Sequence, residues 1–291
     1  MKKKLTEKAN ELKIEYIGFC DAEKDEELIK ILKKRRENFG FSPFEEEDLE
    51  KRVNPKMLMP EAKSVIVCLF PYFIGNKTAE NLALYASVTD YHRVAQKKLN
   101  ELAKVLGGYK YECFADNDPL CDRFLAYKAG LGFYGKNSML INEKYGSYFA
   151  IGFILTDAKI ESNKPIKKTC LGCDLCIKHC PGGAILQNFG FDYTNCLSYI
   201  TQAKEHAESQ VKMLKNSDKI VGCDICQSVC PHNEEIKITP IGEFRENVLS
   251  ELYFDDIQKL SNREFKEKYK DYAFSWLGKK KILRNFTEKN K

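Results

Sequence analysis

Apolar positions recur at helical spacing from Met1 to Lys13, where Leu5, Ala9 and Leu12 are separated by lysines and glutamates, and this pattern predicts a short amphipathic helix. Ile14 to Cys20 alternates enough for a strand, and Glu26 to Arg36 resumes the helical period with Leu28, Ile31 and Leu32. The stretch from Phe39 to Lys63 breaks the pattern with Gly40, Pro43, Pro55 and Pro60. A long loop with a helical turn inside it is expected there, of the kind that frames a site. Ser64 to Phe70 is a continuous β-rich apolar run, the mark of a fully buried strand, with Cys68 inside it as core. Tyr91 to Leu106 carries Val94, Leu99, Leu102, Val105 and Leu106 and reads as a helix capped by Asp90.

Tyr109 to Ala115 returns to strand character. Asp118-Pro119 is then expected to open a helix that runs to Ala129, with the proline in its first turn. Ser138 to Asn142 and Tyr148 to Thr156 supply two more strands, so strands and helices alternate to about residue 157 and predict a layered α/β or α+β domain. Gly130 to Gly135, GLGFYG, fits G-x-G-x-x-G. It ends a helix instead of following a strand, which makes it a helix stop and turn and not a dinucleotide loop. Further on, Thr194 to Val211 looks helical, with Cys196 in its first turn and His206 as an exposed helix residue. Phe254 to Leu260 and Ser261 to Tyr272 read as helices, the second with a Ser261/Glu264 capping box. Trp276, Lys279, Lys280, Lys281 and Arg284 form a basic end that suits an RNA backbone or a solvated tail.

Twelve cysteines in 291 residues change this picture most. Cys170, Cys173, Cys176 and Cys180-Pro181 read C-x2-C-x2-C-x3-C-P, the ligand run of a ferredoxin-type cluster. Cys223, Cys226 and Cys230 repeat its last three positions, and Cys196 is the candidate for the missing thiolate. Three thiolates two residues apart wrap one corner of a cluster, while the fourth, before proline, points away and serves the other cluster. The spacing therefore assigns Cys170, Cys173, Cys176 and Cys230 to one [4Fe–4S] cluster and Cys196, Cys223, Cys226 and Cys180 to a second. Zinc also takes C-x2-C pairs, but it has no need of the x2-x2 spacing and the terminal C-P, still less twice. No signal peptide is present, nor any apolar run near the roughly 20 residues that would span a bilayer, so no membrane partner and a reducing cytoplasm are expected. The net charge of +5 is spread as mixed lysine and glutamate, which describes a solvated helical surface and permits a nucleic-acid partner without demonstrating one.

Several segments together carry a resemblance. Asp116 to Pro119, Arg123, Lys128 to Asn137, the triplet Asp90-Tyr91-His92, Cys196 to Tyr199 and the close GCDICQSVCPHN at Gly222 to Asn233 are similar to motifs of the epoxyqueuosine reductase family. The similarity runs from the Pro60-to-Phe70 strand entry to Leu283–Asn285. The chain departs from those motifs at Asn117-Asp118, Cys121-Asp122 and Phe133-Tyr134, and at His232, which stands where the family has tryptophan. The resemblance implies an α+β chain with a nitroreductase-like α/β cobalamin-binding domain over residues 1–163, related to that of reductive dehalogenases. A ferredoxin-like domain with two [4Fe–4S] clusters would follow over 164–240, and a helical extension with a basic tail over 241–291. It also implies a cobalamin-dependent oxidoreductase that performs the last step of queuosine synthesis, reducing the epoxide of epoxyqueuosine at the wobble base of a tRNA anticodon.

On the same resemblance the catalytic aspartate falls at Asp116, and the cofactor contacts at Tyr91, His92, Arg123, Gly135, Lys136, Asn137 and Ser198. Electrons are expected to pass from an external low-potential donor through the two clusters to the cobalamin. To act as a general acid, Asp116 would need a raised pKa; its plainer role would be an Asx-turn, with Asp118 as a helix cap. Two competing readings differ in observable ways. A corrinoid-dependent reductase of a small molecule would turn over without RNA, and a ferredoxin-like electron carrier would hold iron and sulfide but no corrinoid.

Overall fold

The computed structural model describes residues 1–75 and 79–290. Its strands are β1 (Tyr16–Asp21), β2 (Ser64–Pro71), β3 (Tyr111–Phe114), β4 (Phe133–Tyr134), β5 (Leu140–Ile141) and β6 (Phe149–Thr156). The two continuous apolar runs become neighbours: β2 pairs with β6, Val67 opposite Phe153, and every residue of both is buried. β1 and β3 flank them in the order β1-β2-β6-β3. All three pairings are antiparallel, which decides between the two layered classes in favour of α+β.

Alternation along β2 builds a core on each face of the sheet. Ile66, Cys68 and Phe70 turn toward Leu5 and Ala9 of the Lys2–Glu11 helix and toward Val94, Leu99 and Leu102 of the Tyr91–Ala103 helix. Val65, Val67 and Leu69 turn the other way, toward Leu125 and Ala126 of the Asp122–Lys128 helix. Each such side chain contributes about 1.5–3 kcal/mol by leaving water, so this sandwich is what holds the loops at its edge in place.

The structure departs from the sequence pattern at three places near that edge. The helix expected from Asp118 begins at Asp122. Asp116 and Asn117 both adopt left-handed backbone angles, Asp118 accepts the Leu120 N–H at 2.8 Å, and Cys121 N–H is tied to the Arg52 carbonyl at 3.2 Å, so residues 116–121 form a pinned loop. The GLGFYG segment does stop a helix at Gly130, whose φ of 72° and lack of Cβ let the Lys164 carbonyl sit 2.5 Å from where a Cβ would lie. Phe133–Tyr134 then forms β4, paired with β5. Residues 194–211 are two helices, Leu197–Gln202 and Glu208–Lys215, with a break between them. His206 lies in the break with its side chain fully buried, one ring nitrogen 2.7 Å from the Ile200 carbonyl and the other against Glu288.

The basic end is not a solvated tail. Residues 278–290 form a helix whose Ile282 and Phe286 join Ile257, Phe265 and Phe274 in a core shared with Leu82, Ala86, Ile220 and Val221. Its cations close the ends of other helices. Lys279 donates to the Gln258 carbonyl at 2.9 Å, Lys281 to that of Gln202 at 3.1 Å, and Arg284 to those of Ala203 and Lys204 at 2.9 and 2.6 Å. C-terminal carbonyls lack intrahelical donors and carry partial negative charge, so cations suit them. Lys280, by contrast, is exposed. Replacing Lys279, Lys281 and Arg284 together by methionine is expected to cost on the order of 1–3 kcal/mol and to lower the thermal midpoint, whereas Lys280→Met leaves it unchanged. A triple variant that melts with the wild type would show these bonds to be idle.

Candidate active site and thiol quartets

Local backbone conformation explains how the first cysteine run curls. Gly172 and Asp174 both take left-handed angles, φ 71° and 59°, so the chain turns sharply between Cys170 and the Leu175–His179 helix that carries Cys176. Cys170, Cys173 and Cys176 thereby line one pocket, and the fourth cysteine in its wall is Cys230, from the other run. Lys136 closes the rim through an ion pair to Asp174 at 2.5 Å. The remaining four sit elsewhere. Burial pushes the Cys223 thiol up to about 12 and Cys226 higher; the charges of Cys196 and Cys180 act on both, and Cys226 also feels Cys176 of the first pocket.

The donor sets fit clusters better than single ions. Among the described residues no three His, Cys, Asp or Glu side chains converge as ligands of one metal ion, as zinc would require. Four thiols around a pocket suit a body several ångströms across.

A second constellation stands at the sheet edge. Asp90 caps the Tyr91–Ala103 helix by accepting the His92 N–H at 3.0 Å, which fixes Tyr91 and His92 in the first turn with their rings stacked 4.1 Å apart. The loop after β3 brings Asp116 to meet them. Tyr91 Oη donates to Asp116 Oδ2 at 2.5 Å, His92 Nε2 lies 3.4 Å from the same oxygen, and His92 Nδ1 lies 2.7 Å from Asp90 Oδ1. Burial alone would raise the Asp116 carboxyl, but the bonds from His92 and Tyr91 outweigh it and hold the group at about 2. Burial alone would lower His92, but hydrogen bonds to Asp116 and Asp90 raise it to about 9. Without a ligand the pair thus favours a carboxylate beside an imidazolium, and a raised Asp116 needs the further burial that a covering ligand would bring. Burial, reinforced by the Asp122 and Asp116 charges, raises Asp118 to about 7, a loop carboxyl with a proton near neutrality for which the sequence offered only the plainer role of a helix cap.

The residues expected to contact a cofactor divide into two groups. Tyr91 and His92 flank Asp116. Arg123 is exposed, reaches the Ser138 carbonyl at 3.4 Å, and its charge is felt by Tyr72, Tyr134 and Cys196. Ser198 acts on Tyr85, whose ring meets Tyr91 edge-on at 6.3 Å, so the partly buried Tyr85 links the Asp116 group to the segment holding Cys196. Gly135, Lys136 and Asn137 stand apart, in the wall of the first quartet's pocket, with Asn137 donating to the Cys226 carbonyl at 3.3 Å. Tyr85 carries no motif, and only its position between the two sites reveals it.

Comparison with known proteins bears on both constellations. Residues 169–233 match the family model "4Fe-4S double cluster binding domain", and residues 52–117 match "Epoxyqueuosine reductase QueG, DUF1730". The epoxyqueuosine reductase of Bacillus cereus (strain ATCC 14579) is 34% identical over 94% of this chain and 75% of its own length. The chain belongs to the epoxyqueuosine reductase family. It is accordingly an oxidoreductase with a double [4Fe–4S] domain. The Bacillus subtilis epoxyqueuosine reductase is also 34% identical, over 98% of this chain and 77% of its own. Among solved structures, an epoxyqueuosine reductase with a tRNA-Tyr epoxyqueuosine-modified stem loop matches with a TM-score of 0.90 and 31% identity, covering 99% of this chain and 80% of that one. A Bacillus subtilis epoxyqueuosine reductase with its catalytic loop swung out of the active site matches at 0.89 and 30% over the same shares. No helix among the described residues is long and apolar enough to cross a membrane.

Proposed function

We propose that this epoxyqueuosine reductase works on tRNA with a bound cobalamin, drawing electrons from an external low-potential donor through its two clusters, in the cytoplasm. The observation that carries the reading is the half-exposed Asp116 carboxylate, bonded to Tyr91 and His92 and joined through Tyr85 and Ser198 to the segment of Cys196. Reducing an epoxide to the alkene needs two electrons and two protons, the oxygen leaving as water, and this edge brings a proton-holding pair beside the second thiol quartet. Tyr91, His92, Arg123 and Ser198 would hold the cobalamin, which supplies low-valent cobalt as the two-electron reductant. The chain's own residues handle the proton. His92 stores it, Tyr91 and His92 orient the carboxylate, and covering the exposed Asp116 with a large apolar ligand removes its water and moves its pKa upward toward that of a donor.

The direct test is anaerobically reconstituted protein with cobalamin, a strong reductant and tRNA carrying epoxyqueuosine. Queuosine is expected by nucleoside mass spectrometry. Its absence, with both clusters reduced, sinks the reading. A further expectation follows from the pair. His92 keeps its proton up to about pH 9 in the folded protein, so turnover should fall as the pH rises through that value. In His92→Phe this alkaline fall should vanish and the rate at neutral pH should drop. An unchanged alkaline limb in the variant would remove His92 from the proton supply.

A further inference from the structure

We infer that His232 is a hydrogen-bond donor to the [4Fe–4S] cluster of Cys170, Cys173, Cys176 and Cys230, and that it sets the potential of that cluster apart from the other. His232 follows Cys230-Pro231 and lines the same pocket as the four thiols. Its Nε2 atom is buried and has no hydrogen-bond partner in the protein. Buried polar atoms in folded proteins are almost always satisfied, because an orphaned donor forfeits its hydration with no return. The ring is also fixed in place: Phe133 meets it edge-on, with centroids 5.2 Å apart. The sulfurs of a cluster in that pocket are acceptors next to the orphaned atom, and the ring carries a hydrogen on Nε2 either as imidazolium or as one neutral tautomer. His179 precedes Cys180 of the second quartet, but it is exposed and its Nδ1 lies 2.9 Å from the Leu175 carbonyl, while the buried His206 bonds Ile200 and Glu288. Hydrogen bonds to cluster sulfurs stabilise the more negative, reduced state and raise the potential. The first cluster would therefore accept electrons more readily than an equivalent one without the bond.

This rests on the assignment of those four cysteines to one cluster, and the experiment separates the two claims. Reconstituted wild type, His232→Phe and His232→Gln are compared by iron content and by EPR-monitored redox titration in the absence of substrate. Phenylalanine keeps the ring and removes both nitrogens; glutamine keeps an N–H of similar reach. In His232→Phe one cluster is expected to become harder to reduce, by a factor on the order of 10 in its reduced-to-oxidised ratio at fixed potential, which for one electron is about 59 mV. The other cluster should not move, and His232→Gln should stay near wild type. Full iron with both potentials unmoved in His232→Phe overturns the role of His232 alone. If the phenylalanine variant loses iron, the exchangeable-proton coupling of the wild-type cluster in water against deuterium oxide decides, and its absence overturns the bond. Wild type that binds about half of the eight irons expected for two cubanes overturns the cluster assignment instead.

Discussion

Asp116→Asn is expected to keep both clusters and lose turnover by a factor of about 10²–10⁴, the usual contribution of a positioned proton-transfer group. The substitution is unusually clean at this position. Asp116 has a φ of 56°, where asparagine is among the few side chains tolerated at low cost, so the loop keeps its path. The asparagine oxygen still accepts from Tyr91 Oη, but the group carries no charge to hold a proton on His92 and none to pass on. Iron content and cobalamin binding serve as controls for folding, and single-turnover conversion of epoxyqueuosine in tRNA is the readout. A normal rate would remove Asp116 from the chemistry. Asp118→Asn then becomes the deciding variant, because burial keeps that carboxyl protonated to about pH 7 in the same loop. If Asp118→Asn is slow and Asp116→Asn is not, the donor is two residues further along than the family motif places it.

The second large effect concerns which thiols share a cluster. Cys173→Ser with Cys230→Ser should leave about four irons per chain, since both changes fall on one cluster, whereas Cys173→Ser with Cys180→Ser should leave almost none. The sequence places Cys173 and Cys180 in one run and Cys230 in another, so a simple local reading predicts the reverse. The pocket wall favours the crossed arrangement, because Cys230 stands with Cys170, Cys173 and Cys176, while the charges of Cys180 and Cys196 act on Cys223 and Cys226. Reversed iron contents would sink the crossing. Cys68→Ala serves as a control for iron, since that thiol faces the sheet core and no pocket.

Much of this molecule is written locally in its sequence. The buried strands Ser64–Pro71 and Phe149–Thr156, the Asp90 cap, the Ser261/Glu264 capping box and the spacing of the cysteine runs follow from continuous apolar runs, capping chemistry and chelate geometry, all short-range rules. The helix expected at Asp118-Pro119 failed because the Arg52 carbonyl, far away in sequence, holds Cys121 and bends the loop that presents Asp116. The basic end reads as a tail because a lysine's partner is invisible in sequence; only packing shows that Lys279, Lys281 and Arg284 meet the carbonyls of other helices. The state of Asp116 was beyond local reading for the same reason. A carboxyl's pKa is set by whichever charges and donors the fold brings within a few ångströms, and Tyr91 and His92 come from a helix 24 residues earlier in the chain.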